Sequence, residues 1–448
     1  MKKWSSSEIK EIIRKSFLNR LKEPIIFFFS KEKGKMYKLH VKDIHISHSD
    51  DLEHSENNNW SRLKEAIENE ETWTLPATFH IEIRDENDKK IAEFQKRAHI
   101  PFHNFLDSFL IKGKFYIPVS QVRRLPGFYV VKRENRYIGL FNIANKKNIK
   151  LVLDPDGKSY FVLGTKKVFL KDLDDVLGWK LDYGKFKELQ PNSRPHEKER
   201  SILKFAEFFL NKKYNNIDDA IDDLKYYFKD AQIYHDGLKT HKDLPDKLNF
   251  DTLKHFAQYF LDVANNKKDT IETNDLRFKE ILNAYELMAE RLKYDLREGR
   301  NGRLLRKHLL TDGKVRPEKL NFTTPILTTF RGTGLIFASQ KVNPLDFMNN
   351  FYKVIYTGEG GIKNTQNTDD QLRLIHDTDF GILDLYFSPS SQKIGLVKYF
   401  TYDFDVLNKE FNVIDKNGME RKISHEEFMK SNIAHIRDKI ENNQSKNE

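Results

Sequence analysis

Ser108-Phe109-Leu110-Ile111-Lys112-Gly113, the run Phe115–Val119, and then Ser120-Gln121-Val122-Arg123-Arg124-Leu125-Pro126-Gly127 carry the clearest local signals in the chain. Two short apolar runs separated by a Gly turn predict a strand, a turn and a second strand. Arg123 and Arg124 then occupy a basic corner that Pro126-Gly127 closes. Strand signals continue in both directions. Upstream, Phe79, Ile81 and Ile83 alternate with His80, Glu82 and Arg84, the period of a half-buried strand, and Asp85–Asp88 turns it into a partner at Ile91–Phe94. Downstream, Tyr137–Phe141, Ile149–Leu153 and Ser159–Leu163 read as strands, the last two flanking the turn Asp154-Pro155-Asp156-Gly157. Toward the N-terminus, Ser5-Ser6-Ser7-Glu8 offers a capping box for a helix with Ile9, Ile12, Ile13 and Phe17 on one face. Pro24 ends that helix, Ile25–Phe29 reads as a buried strand, and Ser47–Asn59 reads as a polar loop.

The texture changes after the polar segment Gln190–Arg200. Ile202, Leu203, Phe205, Ala206, Phe209 and Leu210 share one helical face, as do Ile217, Ala220, Ile221, Leu224 and Phe228, and then Leu253, Phe256, Ala257, Phe260 and Leu261. A helical block therefore runs to about Leu310, and from Thr323 short apolar runs with Gly and Thr predict loops and strands again. The expected class is α+β: mixed antiparallel sheets with a helical insertion.

The chain of 448 residues is long enough for several domains, and its 32% charged residues imply extensive solvated or nucleic-acid-facing surface. Lys and Arg exceed Asp and Glu by 77 to 67, which favours a polyanionic partner. The absence of cysteine excludes disulfides, Cys–zinc sites and thiol nucleophiles. No apolar run has membrane-spanning length, and the N-terminus lacks a signal-type apolar region, so a soluble intracellular protein is expected.

Several local patterns tempt a chemical reading and are better explained structurally. His40, His45, His48 and His54 run into a polar loop without any Cys, which suits a solvated surface better than zinc. Asp415-Lys416-Asn417-Gly418 lacks the glycine a calcium loop needs at its sixth position, where Glu420 stands, and reads as a β-turn. Asp403-Phe404-Asp405 has no third carboxylate at a matching interval and reads as one solvated strand face. Gly358-Glu359-Gly360-Gly361-Ile362-Lys363 is not a Walker loop and reads as a surface loop. The run Arg291, Lys293, Arg297, Arg300, Arg303, Arg306 and Lys307 suits either a phosphate backbone or a solvated face paired with Glu290, Asp295 and Glu298. Gly299 and Gly302 would allow it to bend.

Two extended tracts in the right order carry a family resemblance. The first is Ile100-Pro101-Phe102, Ser108–Gly113 and Val119-Ser120-Gln121-Val122-Arg123-Arg124-Leu125-Pro126-Gly127-Phe128. The second runs from Phe330 through Asn343-Pro344-Leu345, Thr357–Gly361, Leu372-Arg373-Leu374-Ile375-His376-Asp377-Thr378-Asp379-Phe380-Gly381 and Ser388-Pro389 to Ile394-Gly395-Leu396. Together they resemble the N-terminal part of the β subunit of bacterial-type multisubunit DNA-directed RNA polymerases. The SQ-x-x-R-x-PG ending is closer to bacterial β than to archaeal or eukaryotic versions.

The resemblance implies a protrusion-like α+β domain at 1–130, a lobe-like domain with the helical block at 131–300, a return to the protrusion at 301–335, a fork region at 336–440 and a disordered tail at 441–448. It implies a role along one side of the DNA cleft, with the fork beside the active centre. Gln121, Arg123 and Arg124 match the basic corner near the template, Gly360 and Gly361 the loop at the unpairing base pair, and Lys353, Lys363, Arg373 and Lys393 further nucleic-acid contacts. No catalytic residue and no cofactor is expected on this chain, because the catalytic Mg²⁺ of the family is held by β′. Implied partners are a C-terminal β fragment, β′ fragments, template DNA, nascent RNA and a promoter-specificity subunit.

Departures from the family pattern also count. Phe387-Ser388-Pro389-Ser390-Ser391-Gln392-Lys393 replaces the family's ETPEGPN tract. Phe337, Gln340, Asn350 and Ile355 replace the polar wall of the rifamycin pocket, which predicts rifampicin resistance. The Met start, the polar tail and the absence of the C-terminal β region imply the split-subunit type of phiKZ-like giant bacteriophages, acting in the cytoplasm of the infected host. Two alternatives stay open: a degenerate organellar or plasmid β fragment, and a non-catalytic nucleic-acid-binding regulator, which would purify without β and β′ partners.

Overall fold

The computed structural model describes residues 4–28, 36–85, 87–125, 127–142, 148–210, 212–229, 250–268, 274–311, 314–330, 336–339, 344–358, 361–362, 373–379, 382–389, 391–402, 404–414 and 420–424. The fold is α+β, divided into a unit of Met1–Arg123 with Ile281–Glu448 and a unit of Arg124–Glu280.

The discontinuous unit begins with the helix Ser6–Leu21. Ser5 and Glu8 form a reciprocal capping box there, and Ile9, Ile12, Ile13, Phe17 and Leu21 are buried along one face. A four-stranded antiparallel sheet follows in sequence order: Ile25–Phe28, Met36–Ile46, Thr74–Asp85 and Lys90–Pro101. The long second strand escapes a simple periodicity reading because its register shifts between Val41 and Asp43. Leu39 and Val41 face the core before the bulge and Ile44 and Ile46 after it, so one extra residue flips the alternation. The stretch Ser47–Asn59, expected as a loop, instead contains the helix Asp50–Glu56. The Ser49 side chain caps it at Leu52 N, Asp50, Asp51 and Glu53 complement its N-terminal dipole, and Leu52 is buried.

Two smaller sheets join distant parts of the same unit. In one, the hairpin Phe109–Ile111 and Lys114–Pro118 is extended by Ile336–Ser339, so the first recognisable tract pairs with the start of the second. In the other, Ser120–Arg124 lies parallel to Lys353–Ile355, which is antiparallel to Val397–Tyr399. Val119, Leu282, Leu287, Ile355 and Val397 form the apolar cluster there. The helices Ala284–Arg297 and Arg300–Thr311 follow, the first opened by an Asn283–Glu286 capping box. The helical texture thus continues past residue 280 although these helices belong to this unit. The corner between them depends on Gly302, where a Cβ would lie 2.4 Å from Leu296 O.

In the second unit, Gly127–Arg133, Arg136–Asn142, Ile149–Leu153, Ser159–Leu163 and Lys166–Phe169 form an antiparallel meander. The turn at Asp154–Gly157 closes through Gly157 N donating to Asp154 O at 2.9 Å, with Gly157 at φ +77°. Helices Pro195–Leu210, Ile217–Lys229 and Phe250–Ala264 supply Ile202, Phe205, Ala206, Phe209, Ala220, Leu224, Leu253, Phe256 and Phe260 to one core with this sheet. These faces follow the helical periodicity, with Leu203, Leu210, Ile217 and Ile221 only partly buried against the core.

Candidate nucleic-acid interface

The parallel pairing of Ser120–Arg124 with Lys353–Ile355 sets Ser120 opposite Val354 and Gln121 opposite Ile355. Two tracts more than two hundred residues apart thereby become neighbours. Gln121 is fully buried, and its Nε2 donates to Thr357 O at 2.9 Å. That bond anchors the start of the Gly-rich turn, in which Gly361 N donates to Gly358 O at 3.1 Å and Ile362 N to Tyr356 O at 2.9 Å. Gly358 takes φ +115°, and a Cβ on Gly361 would lie 2.5 Å from Tyr356 O and 2.9 Å from Gln121 Nε2. Glycine at 361 is therefore a packing requirement, a reason beyond loop flexibility.

Arg123 leaves the same strand and forks onto Glu290, with Nη1 donating to Oε2 at 2.6 Å and Nη2 to Oε1. Glu290 also accepts from Arg20 Nη1 at 3.3 Å. Lys293, part of the basic run, is turned inward: its Nζ donates to Arg20 O at 3.1 Å and lies 3.4 Å from Glu23 Oε2. Burial pulls the Lys293 ammonium below the usual lysine range. The inward-facing member shows that spacing alone does not put that run on one solvated face; Arg300, Arg303 and Lys307 are exposed. In the other unit, the Arg124 guanidinium lies 5.6 Å from the Tyr129 ring centroid.

The second tract is held by a buried ion pair. Asp379 Oδ2 accepts from Lys398 Nζ at 2.6 Å and from His376 N at 3.1 Å. Asp379 is fully buried, in the short turn Asp377–Asp379, and Lys398 lies on the strand Val397–Tyr399. Arg373 Nη1 donates to Gln392 O at 2.8 Å and Ile394 O at 2.7 Å, bracketing exposed Lys393. Gly395, at φ +70°, permits this close approach, since a Cβ there would lie 2.4 Å from Arg373 O.

Lys353 sits half-buried on its strand, and Gly360 and Lys363 lie outside the described residues, as do Asp403, Ser390 and the turn at 415–418. Asp405 corrects the reading of a solvated face. It is buried, its Oδ1 accepts from Leu407 N and Asn408 N, and its Oδ2 accepts from Asn408 Nδ2, so the carboxylate shapes a turn. His45 and His48 are exposed, and among the described residues no three His, Asp or Glu side chains gather as a metal site. Lys398 was missed by motif reading, and Glu290, read as a partner of a solvated basic face, instead holds Arg123 and Arg20. A signal for the first exists: Lys398 is a lone charge within the apolar run Leu396–Phe400.

Residues 337–406 match the family model of RNA polymerase Rpb2, domain 3. The matched segment contains the Gly-rich turn, the Arg373 bracket and the Asp379–Lys398 pair, and it supports a β-type subunit of a multisubunit DNA-directed RNA polymerase. No curated protein matches the chain.

Proposed function

We propose that this chain is the N-terminal part of the β-type subunit, forming one side of the DNA cleft and the fork beside the active centre. The observation that carries the reading is the joining of the two tracts: Ser120–Arg124, outside the matched segment, pairs with Lys353–Ile355 inside it, and Gln121 fastens Thr357. A shared sheet and a side-chain bond between the two tracts support reading them as parts of one domain.

In this reading Arg123, Arg124, Lys353, Lys363, Arg373 and Lys393 are contacts to nucleic acid, and Gly360 and Gly361 let the backbone approach the unpairing base pair. Gln121 acts by fixing the turn that contains Gly361. Arg373 acts by bracketing the loop that carries Lys393. Cations held in a preset frame favour a phosphate backbone without ordering cost at binding. The chemistry of RNA synthesis would belong to partner subunits, with Mg²⁺ on β′. The giant-phage form of the reading, with partner β and β′ fragments, rests on the divergence of the tract Phe387–Lys393. Ile355, buried in an apolar cluster, offers no hydrogen bond to a rifamycin, which supports rifampicin resistance.

Affinity purification of the chain from its native source, with mass spectrometry of what accompanies it, tests the reading. A stoichiometric set that synthesises RNA and includes a protein with an NADFDGD-type motif is expected. Recovery of the chain alone, with affinity for DNA, would replace the subunit reading by that of a nucleic-acid-binding regulator.

A further inference from the structure

Two aromatic rings stand out in solvent on the turn at 384–387: Tyr386 is 99% exposed and Phe387 51% exposed. Single exposed apolar residues are ordinary, but these two are adjacent and held on a fixed frame. Asp384 Oδ1 accepts from Tyr386 N at 2.9 Å and from Phe387 N at 3.1 Å, which shapes the turn. Asp384 N donates to Tyr399 O at 2.8 Å and so fastens the turn to the strand Val397–Tyr399. The Phe387 ring meets the Tyr399 ring edge to face, with centroids 4.5 Å apart. Phe387 thus keeps part of its ring open, and the Tyr386 ring has both faces in solvent.

Charge around the rings separates the kinds of partner. Leu385–Lys393 contains no Asp or Glu, and its one charge is the exposed Lys393. Where the family's ETPEGPN tract has its two carboxylates, this chain has Phe387 and Ser390. Asp384, the adjoining acid, turns Oδ1 onto the N–H groups of its own turn. Lys353 stands directly opposite Tyr399 in the sheet, which adds a second cation beside the aromatic pair. Rings interleaved with cations suit an unpaired nucleic-acid strand, whose bases offer flat faces and whose phosphates take the ammonium groups. A duplex keeps its bases stacked on one another and would use the cations alone. A protein partner would use the rings and gain little from the cations.

We infer that Tyr386 and Phe387 form a stacking platform for the bases of a single nucleic-acid strand, with Lys393 and Lys353 serving its phosphates. The inference rests on the nucleic-acid reading above and adds to it the kind of strand and the residues that hold its bases.

The test uses the full chain and a short oligothymidylate carrying one 2-aminopurine, a base whose fluorescence falls when it stacks. Saturable quenching is expected on titration with the chain. Tyr386→Ala should weaken binding about tenfold and remove much of the quenching, while Tyr386→Phe, which keeps the ring, should restore both. Because Tyr386 is exposed, neither change should move the thermal midpoint. Lys393→Ala should weaken binding and lessen its salt dependence while the bound base stays quenched. Binding of the same sequence as a duplex should not respond to Tyr386→Ala. If single strand and duplex both bind and neither responds to Tyr386→Ala, the stacking inference falls and the nucleic-acid reading stands. Failure to bind the single strand at low salt would overturn the inference as well, whatever proteins accompany the chain. So would a Tyr386→Ala chain that loses its co-purifying proteins and binds the strand unchanged, since the rings would then be a protein-docking face. Failure of the underlying reading shows separately, as a chain purified without an RNA-synthesising set.

Discussion

The guanidinium of Arg123 is forked onto the carboxylate of Glu290, so a cation that the family resemblance assigns to the nucleic-acid corner is held by an internal acid. Glu290 also holds Arg20, and the three residues tie the first helix, the strand Ser120–Arg124 and the helix Ala284–Arg297 together. The arrangement presets Arg123 instead of leaving it as a mobile surface charge.

Glu290→Ala should remove the acid onto which Arg123 forks, leave Arg20 with Glu286, and lower stability by about 3 kcal/mol. A double-mutant cycle with Arg123→Ala, read by urea denaturation, should give a coupling above about 1 kcal/mol. Additive single losses would show that the fork contributes little.

Asp379→Asn should deprive Lys398 of its fully buried acid and lower the thermal midpoint by the equivalent of about 3 kcal/mol. Replacing both residues by apolar ones of similar volume should restore most of the loss, because the cost of removing one partner is chiefly that of the stranded charge. Equal stability of the single and double variants would contradict this.

Gly361→Ala should disturb the turn at Thr357–Ile362, since the added Cβ meets the backbone oxygen of Tyr356 and the side chain of Gln121. The expected outcome is a modest loss of stability, about 1–3 kcal/mol by the cost of overpacking, with a larger defect in RNA synthesis by the assembled complex. Wild-type transcription would separate this turn from the proposed fork function.

His103 and Asp107 predict opposite pH slopes. Burial pulls the His103 imidazole down to about 3 from 6.5, so its contribution is full above pH 6.5 and falls as pH drops toward 3. Burial pushes the Asp107 carboxyl up to about 7 from 3.8, so the fold favours its neutral form and stability is lost as pH rises from 3.8 through 7. The two slopes oppose each other between pH 3.8 and 6.5, so Asp107→Asn, tolerated at this residue's φ of +52°, should leave stability rising more steeply with pH across that window. An unchanged slope between pH 3.8 and 7 in a denaturation-midpoint series would show that Asp107 does not contribute to it.

The local elements and the two tracts are legible from neighbouring residues alone. Period-two alternation marked Phe79–Ile83, helical spacing marked Ile202–Phe209 and Leu253–Leu261, and the Ser5–Glu8 capping box marked where the first helix begins, because each depends on neighbours within a few residues. Local reading missed the alternation of Met36–Ile46, where the bulge reverses the buried face, and the short helix capped by Ser49. Only the tertiary structure decided the partners. That Gln121 reaches Thr357, Arg123 reaches Glu290, Lys398 reaches Asp379, and Phe387 meets Tyr399 depends on chain crossings that no local period encodes. A side chain's charge is written in the sequence, but whether it meets solvent, an acid or nothing is set by what the fold places opposite it.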